Sequence, residues 1–232
     1  MGRNLMKELL KIVSFPIGTL GCNCSLIYSP HTREAIAIDP GNDANAFLNT
    51  INSLNVQVKV LLHTHAHFDH IGQADAIRDQ LKTPIYLHKD DLFLYKALRE
   101  QAAFFGASVA SPHEIDHYIE DEEEFSLSVK DEDWNDKRLH RVVQAIFTPG
   151  HTPGSCSFYT EAFPSPMLFS GDTLFANSIG RTDLPGGDFR KIMNSIKNRV
   201  LTLPDETQVI PGHGPVTFLH QERRHNPFLQ NF

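Results

Sequence analysis

The sequence predicts one α/β domain. Three observations point there: strand-like and helix-like segments alternate in both halves of the chain, no repeat of fixed period is present, and no low-complexity linker divides it. At 232 residues the chain is long enough to bury a core without disulfide or metal staples, and the span 1–232 is expected to form a single unit.

The elements follow in order. Ile12, Val13 and Phe15 make a first strand, residues 25–28 a second and residues 35–38 a third. Pro16 with Gly18, Ser29-Pro30 and Pro40-Gly41 are the turn signals that end them. A helix over 43–54 gathers Ala44, Phe47, Leu48, Ile51 and Leu54 into one apolar stripe. Residues 56–62 are apolar and β-branched, which suits a strand buried on both faces. Helix-spaced Ile71, Ala74 and Ile77 predict one helix from 69 to 81. A strand over 84–87 and a helix over 90–105, ended by Gly106, come next. From 108 to 140 the character changes. Acidic residues crowd 120–124 and 131–136, and such a run reads as a solvated loop or hairpin, with a strand where Phe125, Leu127 and Val129 alternate. Strands over 142–147, 157–159 and 167–169 follow, then a helix over 188–201 with Phe189, Ile192, Met193, Ile196 and Val200 on one face, then a strand over 208–210.

Composition removes several function classes. An apolar fraction of 41% and a charged fraction of 21% are those of an ordinary globular protein. No apolar run approaches the roughly 20 residues of a membrane span. The first residues carry Arg3, Lys7, Glu8 and Lys11 and lack the apolar centre of a secretory leader. A formal charge of −7 argues against general nucleic-acid binding, which needs a basic footprint. Cys22, Cys24 and Cys156 are too few for a disulfide framework, so buried free thiols and a reducing, cytoplasmic location are expected.

Thirteen histidines are the compositional anomaly. Four predicted strands run directly into His or Asp: His65, His67, Asp69 and His70 after the first, His151 after the second, Asp172 after the third and His213 after the fourth. Gly and Pro flank most of these positions and permit tight turns. In an extended loop His65 and His67 point the same way and can chelate one ion, while Asp69 and His70, at a turn into a helix, can face a second. His151 would complete the first set and His213 the second, and Asp172 has two oxygens with which to bridge them. Imidazole and carboxylate suit zinc, iron or manganese. His31, His63, His88, His113, His117, His140, His220 and His225 lack such a setting and read as ordinary polar residues, although His63 is close enough to support the site. Asp39, at the end of a strand, either supports a ligand histidine or caps its own turn.

Taken together, THAHFDH at 64–70, TPGHTPGS at 148–155, SGDT at 170–173, SIGRTDLPGGD at 178–188 and PGHGP at 211–215 resemble the metallo-β-lactamase superfamily over nearly the whole chain. The resemblance implies a four-layer αββα sandwich with the site at one edge of two packed sheets. Within the superfamily, TPGHTPGS, SIGRTDLPGGD, PGHGP and the ending ERRHNPFL at 222–229 are similar to those of glyoxalase II-like hydrolases. Long members continue into a helical segment whose basic residues hold the carboxylates of glutathione. Here the chain resembles the short, single-domain type without that segment. The implied activity is metal-dependent hydrolysis of a small-molecule thioester such as S-lactoylglutathione, by attack of a hydroxide shared between two divalent ions, zinc foremost. Asp69 would orient the nucleophile, and Arg181 either grips a substrate carboxylate or pins its own loop. The rivals are a persulfide dioxygenase with one iron, a hydrolase of other thioesters or lactones, and a β-lactamase. A non-enzymatic scaffold would be marked by lost ligands, and all seven residues are present.

Overall fold

The computed structural model describes residues 10–128 and 141–230. Val129 and the acidic residues at 131–136 lie outside them.

The chain begins with β1 (Lys11–Ile17), β2 (Cys22–Tyr28) and β3 (Glu34–Ile38), then α1 (Ala44–Leu54) and β4 (Gln57–Leu62). The short α2 (Phe68–Ile71) and α3 (Ala74–Leu81) lead to β5 (Ile85–Leu87), and α4 (Leu92–Lys96) and α5 (Leu98–Phe104) to β6 (His117–Tyr118). The second half holds β7 (Glu124–Phe125), β8 (Val143–Phe147), β9 (Cys156–Thr160), β10 (Met167–Gly171), β11 (Leu174–Phe175) and β12 (Ser178–Ile179). It ends with α6 (Phe189–Ser195), β13 (Gln208–Pro211), β14 (Thr217–Phe218) and α7 (Leu219–His225).

Two six-stranded sheets result, ordered β1-β2-β3-β4-β5-β6 and β14-β13-β10-β9-β8-β7. Side-chain alternation explains why they stack. In β3, Ala35 and Ala37 face the helices with Phe47 and Ile77, whereas Ile36 and Ile38 face the other sheet. In β10 and β13, Leu168 and Val209 pack on Ile192 and Ile196, whereas Phe169 and Ile210 turn inward. The order is therefore helices, sheet, sheet, helices, the αββα sandwich of the resemblance.

Strand direction places the chemistry. β3, β4 and β5 are parallel, so their C-terminal ends share one edge. β10 and β13 are parallel, and β8 runs with them because β8 and β10 are both antiparallel to β9. The loops after β4, β8, β10 and β13 thus open on one edge, where backbone bonds from Asn23 N–H to Gly212 O (2.7 Å) and Cys156 N–H to Thr64 O (2.8 Å) join the sheets.

Three sequence expectations change. Pro16 does not end the first strand but pairs with Asn23 inside β1, which an edge strand tolerates because no neighbour needs the missing N–H. The helix expected over 69–81 breaks at Gly72-Gln73. The Gly41 peptide enters the ladder there, donating to His70 O at 3.0 Å and accepting from Gln73 N–H at 3.2 Å. The helix expected over 90–105 breaks at Ala97, and the Gln101 amide takes up the Leu94 carbonyl at 2.8 Å.

Candidate metal centre

His65 and His67 leave β4 on an extended loop, and their side chains fall on one side of it. His65 Nε2 lies 3.1 Å and His151 Nε2 lies 2.9 Å from His67 Nδ1. Hydrogen bonding fixes the tautomers behind this group. The His151 Nδ1–H donates to Arg181 O at 2.8 Å. The Thr64 hydroxyl donates to Asp39 at 2.7 Å, so it accepts from the His65 Nδ1–H at 3.0 Å. Both Nε2 atoms therefore present lone pairs to His67 Nδ1. Burial and the neighbouring rings hold His65 well below the ordinary histidine pKa, and burial with His151 pushes His67 down to about 3. His65 and His67 stay neutral, the form that binds metal.

The second group is richer in charge. His213 Nε2 lies 3.0 Å from Asp69 Oδ2 and 3.2 Å from His70 Nε2, and His70 Nε2 lies 3.6 Å from the same Asp69 oxygen. The His70 Nδ1–H donates to Asp39 Oδ2 at 3.0 Å, which leaves Nε2 open toward Asp69. Burial opposes a charge on His70, but the Cys22 sulfur and the carboxylates of Asp69, Asp172 and Asp39 outweigh it and raise the pKa well above its ordinary value. For Asp69, burial is outweighed by His70 and His213, which hold it below the usual carboxylate range. This half of the cleft favours positive charge.

Asp172 joins the halves. Its Oδ2 lies 3.5 Å from His151 Nε2 and its Oδ1 lies 3.5 Å from His70 Nε2. Oδ1 is buried without a hydrogen-bond partner among the described residues. The lone pairs of His65 and His151 that face His67, and an orphaned carboxylate oxygen, fit bound cations. The donor atoms of His65, His67 and His151, of Asp69, His70 and His213, and of His65, His70 and Asp172 each lie within 4.8 Å of one another. Two glycines permit the closeness. A Cβ on Gly212 would stand 2.1 Å from Asp172 Oδ1, and one on Gly171, at φ +50°, 2.6 Å from Thr64.

The sequence matches the metallo-beta-lactamase superfamily over residues 17–213. The chain belongs to that superfamily. It is 36% identical to a Haemophilus influenzae protein named hydroxyacylglutathione hydrolase GloC, over 96% of this chain and 99% of that one. Among solved structures it is similar to BLEG-1, described as a B3 metallo-beta-lactamase, with a TM-score of 0.82, 37% identity and coverage of 95% of this chain and 100% of that one. It is similar also to TTHA1623 in a di-iron-bound form, with a TM-score of 0.81, 34% identity and coverage of 94% and 100%. The family is one of metallo-hydrolases, and its fold binds divalent metals.

All seven residues singled out in the sequence converge at this cleft of the metallo-beta-lactamase sandwich. Asp39 bonds Thr64 N–H at 2.8 Å as well as His70, so it supports the site; it does so at φ 48°, a conformation costly to a non-glycine residue. Cys22, expected as a buried free thiol, is one, and its sulfur lies 3.4 Å from His70 Nδ1. Burial pushes that thiol up to about 12. His63 is buried, bonds Tyr86 O at 3.2 Å and touches none of the seven through a hydrogen bond. Arg181 forms a two-pronged ion pair with Asp183, at 2.7 and 2.8 Å, while its carbonyl holds His151.

Sequence reasoning missed Asp91. This fully buried carboxylate accepts from Ala66 N–H at 2.9 Å, from the Thr152 hydroxyl at 2.8 Å and from Gly154 N–H at 2.6 Å. It ties the loop between His65 and His67 to the turn that carries His151. Gln101 adds a bond to Ala66 O at 3.1 Å. Buried Glu222 accepts from Asn177 N–H at 2.8 Å and Asn226 donates to Ser178 O at 3.0 Å, so α7 steadies the segment leading to Arg181. No motif marks Asp91 or Gln101, since each lies in a segment that reads simply as helix.

Proposed function

We propose that the protein is a metal-dependent thioester hydrolase, with hydroxyacylglutathiones such as S-lactoylglutathione as the first substrates to test. The observation that carries the reading is the pair of donor groups sharing Asp172: His65, His67 and His151 on one side, Asp69, His70 and His213 on the other. When bound there, two divalent ions, zinc foremost with iron or manganese as alternatives, supply a hydroxide near neutral pH and polarise a carbonyl. The remaining work falls to the chain. Ionised Asp69 accepts a hydrogen bond from the nucleophile and aims it at the carbonyl carbon. Asp39 holds the His70 ring through Nδ1, and the Arg181 carbonyl holds the His151 ring the same way, so neither can turn its lone pair away. The departing group is a thiolate, which needs no strong acid to leave. The name of the Haemophilus influenzae relative supports the choice of thioester.

The rival with one iron needs a single donor group. The complete second group, including His213, favours a pair of ions and hydrolysis over oxygen chemistry. Similarity to BLEG-1, a B3 metallo-beta-lactamase by its description, makes a β-lactam the other substrate class to include. The test is release of free thiol from S-lactoylglutathione by purified protein, before chelation, after it and after metal is restored. Activity should vanish and return. Full activity in demetallated protein, or oxygen uptake with glutathione persulfide in place of thiol release, would overturn the proposal.

A further inference from the structure

The cleft beside the donor cluster has a volume of about 470 Å³, and its walls are unlike its floor. The floor is the His and Asp cluster. One wall is apolar and continuous from depth to rim. Phe68 and Leu94 are buried at its base, Phe105 stacks on Phe68 with ring centroids 5.2 Å apart, and Phe104 packs edge-on against Phe105, also at 5.2 Å. At the rim Phe104 is 84% exposed and Phe105 49%, a solvent exposure that aromatic rings adopt at a cost unless something covers them. Leu20, from the β1–β2 turn, also lines the cleft.

Lys and Arg are scarce around the same cleft. Among the described residues that line it, Arg181 is the one Lys or Arg, and its guanidinium is already engaged by Asp183 through two bonds. The chain as a whole carries −7. Glutathione brings two carboxylates, and among the described lining residues no Lys or Arg is left unpaired to meet them. The acyl group, which carries the scissile carbonyl, stays beside the floor until after the thiolate has left.

We propose that the cleft selects its substrate by an apolar acyl group, an aromatic ring or alkyl chain on the scissile carbonyl, laid on the wall of Phe68, Phe104 and Phe105. The leaving thiol is held weakly and is not chosen for its carboxylates. This rests on the thioesterase reading above and narrows it. An α-hydroxyacyl thioester with a phenyl group should be a better substrate than one with a methyl group, even when the thiol is identical.

The experiment compares kcat/KM for S-mandeloylglutathione and S-lactoylglutathione, which differ in phenyl against methyl, with the metal-loaded protein. A preference of about tenfold or more for the mandeloyl compound is expected from the added apolar burial. Phe104→Ser and Phe105→Ser should each reduce that ratio. Phe104 is exposed enough for its replacement to fold, so the ratio can be read even if Phe105→Ser is unstable. The mandeloyl thioester of N-acetylcysteamine, which has no carboxylate, should be hydrolysed within about threefold of the glutathione compound. Equal rates for the two acyl groups would overturn the proposal and leave the thioesterase reading standing. So would a strong preference for glutathione over N-acetylcysteamine. A dimer that Phe104→Ser dissociates without changing the substrate ratio would assign the wall to a second copy of the chain, against the proposal. Hydrolysis of none of these thioesters would overturn both readings.

Discussion

The two halves of the donor cluster are built differently. The half made by His65, His67 and His151 contains imidazole alone, carried on two loops that Asp91 ties together from behind. The half made by Asp69, His70 and His213 contains a carboxylate and has Asp39 behind it, anchored at the end of β3. Burial and neighbouring rings keep His65 and His67 unprotonated, while surrounding acids raise His70 and His213. The first half is thus an imidazole chelate whose geometry depends on loop positions. The second is an electrostatic trap whose geometry depends on a sheet edge. Changes in packing should therefore fall hardest on the first half, and changes in charge on the second.

Four substitutions probe this contrast. His67→Ala removes an atom that faces both His65 and His151, and thiol release should fall on the order of a thousandfold or more, with loss of bound metal measured by elemental analysis. Asp69→Asn keeps the shape and removes the charge. It should cost about 10²–10³ in kcat with the imidazole-only half still occupied, as one metal equivalent remaining after dialysis would show. Asp91→Asn retains size but must present an NH₂ where the carboxylate accepted, so metal affinity of the first half should fall about 10- to 100-fold in a chelator competition. The second half should keep its affinity. Asp39→Asn should act mainly on the second half, about tenfold, because the His70 Nδ1–H loses a charged acceptor but keeps a neutral one, with a smaller loss at the first half through Thr64 and His65. If Asp39→Asn and Asp91→Asn weaken both halves equally, the two supports are not separate and the contrast is lost.

Much of this arrangement is legible in the sequence, for physical reasons that also mark its limits. β3 and β10 are readable because their residues are apolar and bounded by turn signals, and burial on both faces requires that. β6, β7, β11, β12 and β14 are two residues each, too short for any period to register. The helix breaks at Gly72-Gln73 and Ala97 come from the Gly41 peptide and the Gln101 side chain, partners supplied by tertiary structure. Of the seven cluster residues, His151, Asp172 and His213 stand out because they interrupt turns rich in Gly and Pro, and His65, His67, Asp69 and His70 because four such residues crowd into six positions. Asp91 does not stand out. Its partners, Ala66, Thr152 and Gly154, are distant in sequence and two of them offer backbone N–H groups, which any residue has.

Whether the cleft holds a pair of ions can be read by calorimetric titration of the demetallated protein with zinc. Two equivalents per chain are expected in the wild type, and one in a His213→Ala variant whose first half is intact. A single equivalent in the wild type, or two in the variant, would rule out the paired site.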